Sequence, residues 1–208
     1  MSKKILFGAG LGLILSAAAA QAAPITVKPQ DLSAIGNVTA IYVFADAGNT
    51  SILNELLPSN IPQIFCNHTT PGCTGANSGD TMALGLQNGV MRFSLANVDT
   101  GSIFYNDTAD GDGNYHVKIS TDYADFGQGA LPGAADTVIT NLINSGMSIT
   151  FVGWEDLTAG QGSDFDYNDL IFAFANTTTR QVPEPFSLSL MGAGLAGAAW
   201  ARRRKNKA

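Results

Sequence analysis

The chain has 208 residues and a formal charge of −6, which bounds it at one or two domains. Its charge is unevenly spread. Both ends are basic, and residues 23–181 keep only four basic residues against sixteen acidic ones, a formal charge of −12. A body this acidic repels nucleic acid and anionic membrane surfaces, which excludes a nucleic-acid partner and favours cations.

In chain order, the first element is an export signal over residues 1–22. Lys3 and Lys4 precede the apolar run Ile5 to Leu15, and Ala20-Gln21-Ala22 is a small-x-small cleavage site. The run is short for a membrane span, so a signal helix cleaved after Ala22 is expected. The body that follows, residues 23–181, is long enough for one domain with a core of its own. It is rich in short Val, Ile, Thr and Phe runs separated by Gly, Asn and Asp, with no repeat of solenoid or propeller period. This pattern predicts a mainly β chain, an antiparallel β-sandwich of jelly-roll type in a single domain.

Strands are expected at Val38–Phe44, Val90–Leu95, Tyr115–Ser120, Ser148–Trp154 and Leu170–Phe174. Short helices are expected at Ser51–Leu57 and Ala134–Asn144, the second opened by Pro132-Gly133 and closed near Gly146. Cys66 and Cys73, the only cysteines, flank a turn-rich stretch. In an oxidising compartment they are most simply a disulfide, and with His68 alone they make an incomplete zinc set.

Two acidic segments carry the candidate chemistry. Asp110, Asp112 and Asn114 stand at alternate positions just before a strand, a spacing shared by calcium loops and by ordinary hairpin turns. His116 beside them reads as a surface or pairing residue rather than a ligand. The richer segment joins the last two body strands. Glu155 and Asp156 leave the first, and Asp164, Asp166, Asn168 and Asp169 enter the second. Pairing those strands as a hairpin would gather the six side chains. No Lys or Arg lies between Lys118 and Arg180 to offset their repulsion. A hard divalent cation would, and calcium takes six to eight oxygen ligands. Asp164-x-Asp166-x-Asn168 has the opening spacing of a calcium loop without the rest of an EF-hand: Asp169 stands at position 6 and Ala175 at position 12. A solvated acidic turn fits the same residues.

The run Gly153-Trp154-Glu155-Asp156-Leu157, followed by Gly162-Ser163-Asp164-Phe165-Asp166-Tyr167-Asn168-Asp169-Leu170-Ile171-Phe172, is similar to the signature of an exported bacterial domain, domain of unknown function 4114. That resemblance implies a secreted or surface protein whose acidic motif binds calcium, with Glu155, Asp156, Asp164, Asp166, Asn168 and Asp169 as its polar positions. It implies no activity.

Residues 182–208 form a third unit. Pro183-Glu184-Pro185 precedes the uncharged run Phe186 to Ala201, and Arg202, Arg203 and Arg204 open a basic terminus. At 1.5 Å per residue the run reaches roughly 24 Å as a transmembrane helix, and the arginines hold its far end in the cytoplasm. The order Pro-Glu-Pro, apolar helix, arginines resembles the PEP-CTERM sorting signal of Gram-negative bacteria. The resemblance implies an exosortase-type membrane protease as partner, and membrane attachment through this helix before processing. A glycine pattern inside the run, Gly192 to Gly197, fits a dinucleotide fingerprint but lies within the anchor rather than after a strand.

No nucleophile elbow or zinc-protease motif occurs, and two histidines are few for a triad, so the body is not expected to be an enzyme. Two readings remain for a calcium-binding protein of the cell envelope, cell surface or extracellular matrix. One is a structural or adhesive component of an exopolysaccharide-rich biofilm matrix. The other is a carbohydrate-binding module using Trp154, Phe165 or Tyr167.

Overall fold

The computed structural model describes residues 22–180. The expected signal helix and the expected transmembrane tail lie outside these residues. Among the described residues no helix is long and apolar enough to cross a membrane.

Among the described residues nine strands and one α-helix follow one another as β1 (Asp31–Ala45), β2 (Ser51–Leu57), β3 (Phe65–Cys66), β4 (Thr81–Val90), β5 (Arg92–Asn97), β6 (Ile103–Tyr105), β7 (Val117–Ser120), α1 (Gly133–Asn144), β8 (Ile149–Trp154) and β9 (Leu170–Arg180). They form two antiparallel sheets, one ordered β4-β1-β9-β8-β7 and the other β3-β2-β5-β6. The mainly β, two-sheet expectation holds.

The central strands are apolar on both faces, and the reason is a third layer. Val38, Ala40 and Tyr42 of β1, Val152 and Trp154 of β8, and Leu170, Phe172 and Phe174 of β9 face the smaller sheet, meeting Leu53, Phe93, Leu95 and Phe104. The alternate residues Ile41, Val43, Phe151, Ile171 and Ala173 face the other way, onto Ala135 and Ile139 of α1 and onto Tyr123, Phe126, Phe165 and Tyr167. Side chains of period two thus feed two cores, one on each side of the larger sheet.

Two expected elements are corrected. Ser51–Leu57 is a strand, not a helix. Ser51, Leu53 and Glu55 are buried while their neighbours are partly exposed, a period of two that matches the smaller sheet's inner face. Leu and Glu favour helix, and tertiary packing overrides that weak preference. Val90–Leu95 is not one strand. The chain leaves the larger sheet at Val90 and enters the smaller one at Arg92, with Met91 fully buried at the crossing. The Asn106 side chain bonds the backbone there, accepting from Phe93 N at 2.8 Å and donating to Met91 O at 3.1 Å.

Cys66 and Cys73 are joined in a disulfide that closes the loop after β3. Closing so short a loop restricts the unfolded chain by about 2 kcal/mol. Reduction is therefore expected to lower the urea midpoint of the protein. A midpoint unmoved by dithiothreitol would show that the loop contributes nothing.

Candidate metal centre

β8 and β9 pair antiparallel from Ile149↔Ala175 to Trp154↔Leu170, so the segment between them starts and ends at one edge of the larger sheet. It lies tightly on β8. A side chain at Gly153 would meet the Tyr167 carbonyl oxygen at 2.3 Å and the Phe126 ring at 2.5 Å, so only glycine fits. Phe165 and Tyr167 are held at φ of 56° and 62°, a left-handed backbone uncommon for such residues, and their rings are buried in the second core. With alternate residues turned inward, Asp164, Asp166 and Asn168 are directed outward along one side of the segment.

The six expected site residues fall into two groups, because the strand alternation sends Glu155 and Asp156 to opposite sides. Glu155, fully buried, joins Asp164 and Asp166, with one carboxylate oxygen from each lying within 4.8 Å of the others. Glu155 accepts from the Ser163 hydroxyl and from the Tyr167 backbone N–H. Asp166 accepts from both the backbone and side-chain nitrogens of Asn168. Asp156 instead faces the smaller sheet. Its carboxylate accepts from Ser51 Oγ at 3.1 Å, and its carbonyl accepts from Asn97 Nδ2 at 2.7 Å. Asp169 joins this second group, accepting from the Asp156 backbone N–H at 2.9 Å.

Glu155 and Asp156, both buried, and Asp166 and Asp169, both half-buried, are each pushed toward the neutral form. Burial raises Glu155, and the charges of Asp164 and Asp166 add to it against the Ser163 and Tyr167 bonds. Burial likewise raises Asp166, with Asp164 and Asp46 contributing. Asp156 is raised by burial, and Asp169 is pushed up to about 8 by burial and by repulsion from Glu155 and Asp156. No basic side chain is paired with any of the four among the described residues. The cluster is thus a set of oxygen donors lacking a positive charge.

The second expected site is differently built. Asp110, Asp112 and His116 also bring one donor atom each within 4.8 Å of one another. Here the imidazole is at hand. His116 Nε2 lies 3.2 Å from Asp112, whose oxygens also accept from the backbone N–H groups of Asn114 at 2.9 Å and Ala159 at 3.1 Å. Burial would raise Asp112, but those N–H groups and His116 outweigh it and hold its carboxyl low. His116 is a pairing residue, though not a surface one: it is buried against Phe104 at a ring separation of 4.3 Å. Asn114 contributes main-chain bonds, its carbonyl accepting from Asp110 N. The Ala159 bond ties this hairpin to the acidic segment.

Spacing alone missed Ser163, Ser51 and Asn97, and also Asp46, which comes from the β1–β2 turn. Only Ser163, adjacent to Asp164, carried a local signal.

The C-terminal unit is placed by comparison. Residues 181–205 match the PEP-CTERM protein-sorting motif. Signals of this kind are processed by exosortase, a membrane protease, so the chain is an exported protein directed to the cell envelope. The match covers the tail, beyond the described residues, and leaves the body unassigned. No curated protein and no solved structure matches the chain.

Proposed function

We propose that the body is a calcium-binding structural module of the bacterial surface or matrix, carried there by its PEP-CTERM tail. The observation that carries this reading is Glu155: a fully buried carboxylate gathered with Asp164 and Asp166, with no base in the sequence between Lys118 and Arg180. A divalent cation would supply the missing charge, with Glu155, Asp164 and Asp166 as ligands and Asn168 holding Asp166 in place. The similarity to domain of unknown function 4114 points the same way. The Asp110 group needs no ion in this reading, since His116 already faces Asp112.

The structural role is favoured over carbohydrate binding by where the aromatics lie. Trp154, Phe165 and Tyr167 are all buried in the two cores, so none offers a face for a sugar to stack on. The acids serve as a rigid cation-held corner, and contact with exopolysaccharide would run through the surface of the sandwich. The body is assigned no catalysis; turnover of a polysaccharide by the purified chain would overturn that.

Saturating calcium is expected to raise the melting temperature of residues 23–181 by about 5 °C or more, because a ligand bound only to the folded state stabilises it. Chelator should reverse the rise, and Asp166→Ala should remove most of it. A melting curve indifferent to millimolar calcium would sink the reading.

A further inference from the structure

The described chain begins beside the acidic segment. Ala22 and Ala23 line the same cleft, about 350 Å³, as Lys118, Asp125, Asp166 and Asn168. The residues that follow are tied down. Ile25 N donates to the Tyr167 hydroxyl at 2.7 Å, and Ile25 O accepts from Tyr115 N at 2.8 Å. Tyr167 stands between Asp166 and Asn168, so the first turn of chain after the export signal is bonded to the acidic motif itself. Neither Asp125 nor Asp166 has an ion-pair partner among the described residues. Lys118, the one basic side chain lining the cleft among the described residues, donates to the Asp125 backbone carbonyl rather than to a carboxylate.

We propose that removal of the export signal after Ala22 supplies this cleft with its cation: the new α-ammonium of Ala23, facing Asp125 and Asp166. Before cleavage the same nitrogen is a neutral amide. Hydrolysis of the Ala22–Ala23 bond consumes one water, leaves a carboxylate on Ala22 with the departing signal, and leaves an amine on Ala23 that is protonated at neutral pH. The positive charge therefore reaches the acidic segment only once the chain has crossed the membrane, which favours the closed, Tyr167-bonded strap in the mature protein over the precursor. The inference rests on cleavage after Ala22. It does not require that calcium bind, although an α-ammonium beside Asp166 would compete with a cation there.

The test compares two detergent-solubilised chains in chelator, one starting at Ala23 and one at Gln21, which restores two native residues, leaves a neutral amide at the Ala23 nitrogen and moves the charge two residues back along the chain. The Ala23 chain is expected to melt about 2 to 4 °C higher. Asp125→Asn, at an exposed position, should abolish most of that difference while the fold is retained. Equal melting temperatures, or a difference that survives Asp125→Asn, would overturn the inference. So would N-terminal sequencing of the exported chain that reads a start other than Ala23. Calcium titration of the same two chains separates the readings. Tighter calcium binding by the Gln21 chain is the expected competition. If neither chain binds calcium, the metal reading fails while the chelator comparison still decides this one.

Discussion

Replacing Gly153 by alanine is expected to cost the protein about 4 kcal/mol, near the upper end of single-residue effects. The added Cβ would stand 2.3 Å from the Tyr167 carbonyl oxygen and 2.5 Å from two carbons of the Phe126 ring. Flexible side chains can yield to such a contact, but the Tyr167 carbonyl is backbone, fixed by its neighbours. The Tyr167 N–H donates to Glu155, and its hydroxyl accepts from Ile25 and donates to the Tyr115 carbonyl. Overpacking a core commonly costs 1–3 kcal/mol, and a backbone obstacle adds to that. Gly153, one residue from the end of β8, is also paired with Lys118 on one side and Ile171 on the other, so β8 cannot back away there without breaking two ladders. Relief requires the 165–168 segment to lift off β8, which would carry Asp166 away from Glu155. Urea denaturation should show the loss, and any folded remainder should bind calcium weakly. Gly160→Ala is the control. Only Thr158 Oγ1, at 3.9 Å, lies near a Cβ there, so a change within about 0.5 kcal/mol is expected. A Gly153→Ala protein as stable as wild type would show that the acidic segment does not lie on this strand.

How much of this was legible beforehand differs by element. The β9 run Leu170 to Phe174 reads as a strand, and its pairing with β8 follows from adjacency. That both faces are buried follows from its apolar residues at every position, although the second layer covering it could not be named. Ser51–Leu57 misled because Leu and Glu favour helix, while its period of two becomes visible only once Ser51 and Glu55 are known to be buried. Met91 hid a change of sheet, since an apolar residue in an apolar run carries no mark of a corner. In the acidic motif the residue types were legible and their grouping was not. Continuing the β8 alternation past Trp154 would have sent Glu155 and Asp156 to opposite sides. The partners they meet there, Ser163 on one side and Ser51 and Asn97 on the other, come partly from distant segments that spacing cannot reach.

Stability should fall as pH rises from about 4.5 to about 7, and Glu55 should account for a large share of the fall. Glu55 lies fully buried on β2; among the described residues its Oε1 is unpartnered and its Oε2 accepts only from Gln87 Nε2, at 3.4 Å. Gln87 belongs to β4 in the other sheet and is itself held by Ser59 Oγ at 2.9 Å and by the Leu84 carbonyl at 2.9 Å. No positive charge faces the carboxyl among these partners, and burial pushes it from 4.5 up to about 7. Within that window the folded protein holds a proton that the unfolded chain releases. The stabilisation is therefore full below about 4.5, falls as pH rises, and is gone above about 7. The shift corresponds to about 3 kcal/mol. Glu55→Gln keeps the shape and is neutral at every pH. It should leave stability near pH 4 almost unchanged, raise it at pH 8 by about 3 kcal/mol, and flatten this part of the profile. The acidic segment titrates too, so the comparison is the difference between wild type and variant, measured by urea denaturation in saturating calcium. Parallel profiles across pH 4 to 8 would mean that Glu55 is solvated in the folded protein and that the two sheets part at the Gln87 contact.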